Sequence, residues 1–193
     1  MKNAFLIIAV IFTVFVSIAV AQEEQQEMSP EQTTWMEYMT PSWGHELLAA
    51  NVGEWEGEMT YWPAPDAEPM ISNGTSVVEM ILGGRYSRST QKFDAMGMEM
   101  NGISTDAFDN GKQEFINVWI DNFGTGVMVS HGNYDEKSKT ITYTGSAYDP
   151  AYGMEMPYRQ IYHYIDGNNN YFEMYMTVDG KEYKSMEVRY KRK

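Results

Sequence analysis

From Gly53 onward the chain is a nearly unbroken succession of strand-length segments in which apolar and polar residues alternate, separated by short turns. In residues 54–61, Glu54, Glu56, Glu58 and Thr60 fall on one face, while Trp55, Met59 and Tyr61 fall on the other. A two-residue period marks a strand with one wet face and one packed face. Residues 140–148 repeat it, with Thr140, Thr142, Thr144 and Ser146 set against Ile141, Tyr143 and Ala147. Further segments of strand length cover residues 73–82, 85–93, 99–108, 113–121, 127–134, 156–165, 171–178 and 182–191. Asp109-Asn110-Gly111, Asp135-Glu136-Lys137-Ser138, Asp166-Gly167-Asn168 and Asp179-Gly180 lie between them. Such residues favour tight hairpin turns. The pattern predicts an all-β fold, an antiparallel up-and-down barrel of about eight to ten strands. A two-sheet sandwich is the competing arrangement, because periodicity alone does not reveal closure.

The N-terminal residues predict a compartment. Lys2 precedes an uncharged apolar run over residues 4–16, and Ala19 and Ala21 form a small-x-small cleavage pattern before Gln22. This is the layout of a secretory signal peptide, and the run is short for a membrane-spanning helix. The expected organisation is a signal peptide at 1–21, a flexible leader with a short helix at 22–40 and a single barrel domain at 41–193. Export to the periplasm or medium follows, with no membrane attachment after cleavage. Ser29-Pro30-Glu31-Gln32 carries a capping-box signature for one helix, and Thr40-Pro41 suggests a second bearing Trp43, Leu47 and Leu48.

Charge and cysteine content narrow the function classes. The net charge is −13, which disfavours nucleic acid and anionic lipid surfaces as partners. The chain has no cysteine, so stability rests on packing, and thiolate chemistry and cysteine-ligated metals are excluded.

Several segments resemble the bacterial family known as domain of unknown function 1579. They are His45-Glu46-Leu47-Leu48, Val52-Gly53-Glu54-Trp55-Glu56-Gly57, Met80-Ile81-Leu82-Gly83-Gly84-Arg85-Tyr86, the run Trp119-Ile120-Asp121-Asn122-Phe123-Gly124-Thr125-Gly126, and Phe172-Glu173-Met174-Tyr175-Met176. The resemblance covers residues 43–193 and implies a calycin-like, lipocalin-like barrel with one or two short N-terminal helices. It implies no activity, since barrels of this shape host many.

Residues 115–121 are the most suggestive for a site. Ile116, Val118 and Ile120 make an aliphatic face; Phe115, Asn117, Trp119 and Asp121 make a mixed face suited to a pocket wall. The candidate ligand-binding set is Trp55, Arg85, Asn117, Trp119, Asp121, His131, Arg159, Glu173 and Tyr175. Trp119 and Tyr175 would pack against a ligand, while Arg85, Asp121, His131 and Arg159 would orient its polar groups. The plainer reading makes these residues a buried ion-pair network within a filled barrel. Both faces of residues 85–92 are polar, with Ser87, Ser89 and Gln91 on one. An edge strand or a hydrated cavity wall explains this, and the edge is the commoner case.

Met96, Met98 and Met100 alternate, as do Met154 with Met156 and Met174 with Met176. Thioethers select Cu(I), although methionine more often fills irregular core space. His45, His131 and His163 are too scattered for a zinc motif. The calycin-like resemblance implies that a single axial histidine, with His163 as candidate, would suffice for haem. No nucleophile–base order or phosphate loop stands out; catalysis would need Asp121 to meet His131 or Arg159. The reading is therefore a non-catalytic, cofactor-free barrel holding a small organic molecule in a cavity of roughly 300 Å³ or more. A filled structural or interaction module is the alternative. Haem binding, Cu(I) binding and a hydrolase-like enzyme are lesser ones.

Overall fold

A computed structural model describes residues 28–95 and 97–193. The expected signal peptide, the leader up to residue 27 and Met96 lie outside the described residues. Two helices, α1 (Pro30–Met39) and α2 (Trp43–Ala49), precede ten strands. The strands are β1 (Gly53–Tyr61), β2 (Met70–Ile81), β3 (Tyr86–Ala95), β4 (Met98–Asp109) and β5 (Glu114–Asp121), then β6 (Met128–Asp135), β7 (Thr140–Asp149), β8 (Met154–Tyr164), β9 (Asn169–Val178) and β10 (Lys181–Arg192). Each strand pairs antiparallel with its neighbour in sequence, and β1 pairs with β10, so the sheet is a closed barrel rather than a sandwich.

Alternation decides which residues enter the barrel. Trp55, Gly57 and Met59 of β1 are buried while Glu54, Glu56 and Glu58 are exposed, as apolar burial against solvated carboxylates requires. Aspartates set the turns. The Oδ1 of Asp109 accepts from the Gly111 and Lys112 amides at 2.8 and 3.1 Å, and that of Asp135 from Lys137 and Ser138 at 2.8 and 3.0 Å. Asp149 and Asp166 accept in the same way from Ala151 and Asn168 at 2.8 and 2.7 Å. A short carboxylate that satisfies the amide two residues on fixes the reversal, and with it the register of these four hairpins.

Ser29 and Gln32 form the expected capping box of α1. The second helix differs from expectation: Thr40 ends α1, and Ser42 caps α2, its amide donating to His45 Nδ1 at 2.9 Å. Asn110 explains the shift. Its Nδ2 donates to the Tyr38 and Thr40 carbonyls at 3.0 and 2.7 Å, and its Oδ1 accepts from Ser42 Oγ at 2.5 Å. The β4–β5 turn thus holds the link between the helices. Leu48 of α2 then packs with Phe108, Phe115, Ile141 and Tyr143 and plugs that end of the barrel. Trp43 lies edge-on to Phe108 at 4.7 Å.

Arg192 fastens the closure. It donates to the Val52, Ala50 and Gly167 carbonyls at 2.5, 2.9 and 2.7 Å, and its guanidinium sits 4.2 Å from the Trp55 ring centroid. A second cluster, Met59, Phe93, Met100 and Val188, fills part of the opposite half.

Candidate functional site

Between the two clusters the barrel is hollow, with a cavity of about 270 Å³. Its lining mixes aromatic and thioether side chains, among them Phe93, Trp119, Phe172, Met174 and Met186, with the polar Ser76, Ser87, Ser89, Gln91 and Gln160. Ser87, Ser89 and Gln91 belong to the strand whose polarity suggested an edge. As an interior strand of the meander, β3 pairs with both β2 and β4 and is no edge, and these side chains face the cavity instead.

Glycines on the inner faces give the rings room. A Cβ on Gly102 would lie 2.1 Å from Trp119 Cη2, one on Gly132 would lie 2.7 Å from Tyr143 Cδ1, and one on Gly74 would lie 2.4 Å from Phe93 Cδ1. Each ring lies over a glycine of a nearby strand, which presents it flat to the barrel interior.

Asp106 is the central polar group, and the sequence reading did not single it out. It is directly opposite Asn117 across β4 and β5. Asn117 Nδ2 donates to Asp106 Oδ1 at 2.8 Å and to Ser104 Oγ at 2.6 Å; Ser104 Oγ donates to Asp106 Oδ2 at 3.1 Å, and the Tyr143 hydroxyl donates to Oδ1 at 3.4 Å. Burial pushes the Asp106 carboxyl above the ordinary aspartate range, against the opposing effect of these three donors. Burial also raises the Tyr143, Tyr162 and Tyr164 phenols, and the nearby Asp106 adds to the effect, so they remain hydroxyl groups. Among the described residues that line the cavity, none is lysine, arginine or histidine.

Asp121 stands at the end of β5 away from the α2 plug. Its Oδ2 accepts from Trp119 Nε1 at 2.6 Å, and its Oδ1 accepts from the Phe123 and Gly124 amides at 2.8 and 3.1 Å. It orients the indole and begins the loop at 122–127.

Of the candidate set, Trp55, Asn117, Trp119 and Asp121 line the cavity. The other five do not. Arg85 is exposed in the β2–β3 turn, donating to the Leu82 carbonyl at 3.3 Å, at the plugged end of the barrel far from Asp121. Ile116, His131, Thr144, Arg159 and Tyr175 follow one another across β5 to β9 as direct partners, so His131, Arg159 and Tyr175 share the outer face with Ile116. His131 pairs with Glu114 at 3.1 Å and Arg159 with Glu182 at 2.8 Å. Glu173 also faces outward and accepts from Lys184 at 2.6 Å, His163 at 2.9 Å and Tyr175 at 3.0 Å. Burial alone would raise Glu173, but these partners outweigh it and hold the carboxyl at about 2.

The aliphatic face of β5 is outside as well, and Ile120 is exposed. The mixed face faces inward, since Phe115 and its direct partner Phe108 belong to the plug cluster.

These placements bear on the lesser readings. None of His45, His131 and His163 lines the cavity, so an interior haem has no axial histidine. Met98 and Met154 are 56% and 57% exposed at strand ends while Met100 and Met156 are buried, so these two pairs do not act as inward thioether pairs; of the third pair, Met174 lines the cavity beside its cross-strand partner Met186. Asp121 meets neither His131 nor Arg159, because the sheet lies between them.

The family model described as a protein of unknown function, DUF1579, matches residues 40–192. The chain belongs to the DUF1579 family. No protein of curated function matches it. Among solved structures, this DUF1579 member is similar to the crystal structure of Rv2717c from M. tuberculosis, at 16% identity and a TM-score of 0.59, over 80% of this chain and 99% of that one. It is also similar to the S-type phycobiliprotein lyase CPES from Guillardia theta, at 8% identity and a TM-score of 0.55, over 82% of this chain and 96% of that one. At such identities the likeness concerns the fold.

Proposed function

We propose that this chain is an exported, non-catalytic carrier that holds a compact organic molecule inside its barrel. The observation that carries the reading is the cavity of about 270 Å³, lined by aromatic and thioether side chains interspersed with hydroxyl and amide groups. Such a mixture buries the apolar body of a ligand while a few polar groups orient it. The volume lies just under the roughly 300 Å³ at which small-molecule sites begin, equal to the share of about nine water molecules. That size suits a compact ring system and is too small for a macrocycle or a long acyl chain. The lyase among the solved neighbours is a protein of this shape named for chemistry; here, among the described residues, Asp121 meets neither His131 nor Arg159, which favours carriage. Export is supported by the signal-like pattern of residues 1–21.

Native mass spectrometry of the protein isolated from its own host tests this. The expected spectrum shows a retained small molecule that is lost in Ser89→Leu, whose side chain would occupy the cavity. The bare chain mass alone, in both proteins, would refute carriage and favour a structural or interaction module.

A further inference from the structure

The cavity carries a charge imbalance that specifies its ligand more closely. Its described lining holds two carboxyl groups, Asp106 and Asp121, and no cationic side chain. Asp121 is committed, with its oxygens taken by the Trp119 indole and two loop amides. Asp106 is different. Its three donors, Asn117, Ser104 and Tyr143, are all neutral. A carboxylate has about four acceptor positions, so a site remains for one more donor. A carboxylate buried without a counter-charge is costly, and a cation that comes within hydrogen-bonding distance relieves that cost.

We propose that the cavity selects a compact amine, with its ammonium group seated on the Asp106 carboxylate inside the Asn117–Ser104–Tyr143 cradle. The inference rests on the carrier reading above and assigns the class of molecule carried. Asn117 positions the carboxylate, since its amide bonds both Asp106 and Ser104. Tyr143, Tyr162 and Tyr164 also line the cavity, and aromatic rings attract an ammonium group. An anionic ligand of the same shape would meet two carboxyl groups and no counter-ion. It would lose its hydration without compensation. A neutral alcohol could hydrogen-bond to Asp106 but would leave its charge unbalanced.

Three probes of one shape separate these cases: tryptamine as cation, 2-(indol-3-yl)ethanol as neutral molecule and indole-3-acetate as anion. Each is titrated calorimetrically into the purified protein near pH 7. The expected order is tryptamine tightest by roughly thirtyfold or more, then the alcohol, then the acid, because a buried hydrogen-bonded charge pair is worth at least that factor. In Asp106→Asn the preference for amine over alcohol collapses to about one. In Asp121→Asn the preference persists, since that carboxylate serves the loop. If Asp106→Asn does not fold, the order in the unaltered protein still decides. Equal binding of amine and alcohol, or an unchanged preference in Asp106→Asn, overturns the amine assignment and leaves the carrier reading standing. Failure of all three probes to bind overturns both.

Discussion

Gly102→Ala tests the packing that makes the cavity. The added Cβ would lie 2.1 and 2.3 Å from Cη2 and Cζ2 of Trp119 and 3.0 Å from Cζ3. To reach ordinary contact at 3.4 Å the indole must retreat by about 1.3 Å. The Trp119 Nε1 bond to Asp121, at 2.6 Å, opposes that retreat from one end. The open direction is the cavity that Trp119 lines. Overpacking of this kind costs about 1–3 kcal/mol, which in a chain of this length lowers the melting temperature by roughly 2–12 °C. Thermal unfolding followed by circular dichroism reads the stability change, and the tryptophan near-ultraviolet signal reads the displaced ring. Repeating the substitution in a Trp119→Phe background should reduce its cost, giving a coupling of about 0.5–3 kcal/mol. A Gly102→Ala protein with unchanged stability and unchanged tryptophan signal would show that the indole does not lie over Gly102.

Three further outcomes follow from the charges. Glu173, held at about 2, contributes stability that is complete above its unfolded value near 4.5 and is lost as pH falls from there toward 2; Lys184→Met flattens that part of a urea-stability profile, whereas an unchanged acid limb refutes the network. Asp106 has the opposite sign: with its folded value raised, stability declines as pH rises above the unfolded aspartate range. Asp106→Asn is therefore more stable relative to the parent at pH 7 than at pH 3, and a constant difference refutes its burial. Arg192→Met removes donors to Val52, Ala50 and Gly167 and costs about 1–3 kcal/mol in urea unfolding; no loss would refute its role in closure.

Many of the strands were legible because their hairpins carry their own turn chemistry, with Asp109, Asp135 and Asp166 standing where the chain reverses. The inner face of β5 was legible because aliphatic Ile116, Val118 and Ile120 contrast with Asn117, Trp119 and Asp121. The same alternation places Asp106 inside, between the buried Ser104 and Phe108, although a lone aspartate in a strand gives no separate signal. In β8 and β9 the contrast fails. Tyr158, Gln160 and Tyr162 alternate with Arg159, Ile161 and His163, so both faces mix aromatic and polar groups, and Arg159, Glu173 and Tyr175 looked suited to a pocket. The irregularity between Lys184 and Met186 in β10 shifts the face once more. The cavity wall on β3 depends on closure by β1 and β10, which is a distant contact that no local pattern encodes.

The hollow interior is tested most directly by methyl NMR with ¹³C-labelled methionine. Met59, Met100, Met128, Met174 and Met186 line the cavity, while Met36, Met39, Met98 and Met154 are exposed. Saturation with indole, compact and neutral, should shift the cavity methyl signals and leave the exposed ones in place. Shifts confined to the exposed methyls, or none at saturating indole, would contradict a cavity that takes up a ligand.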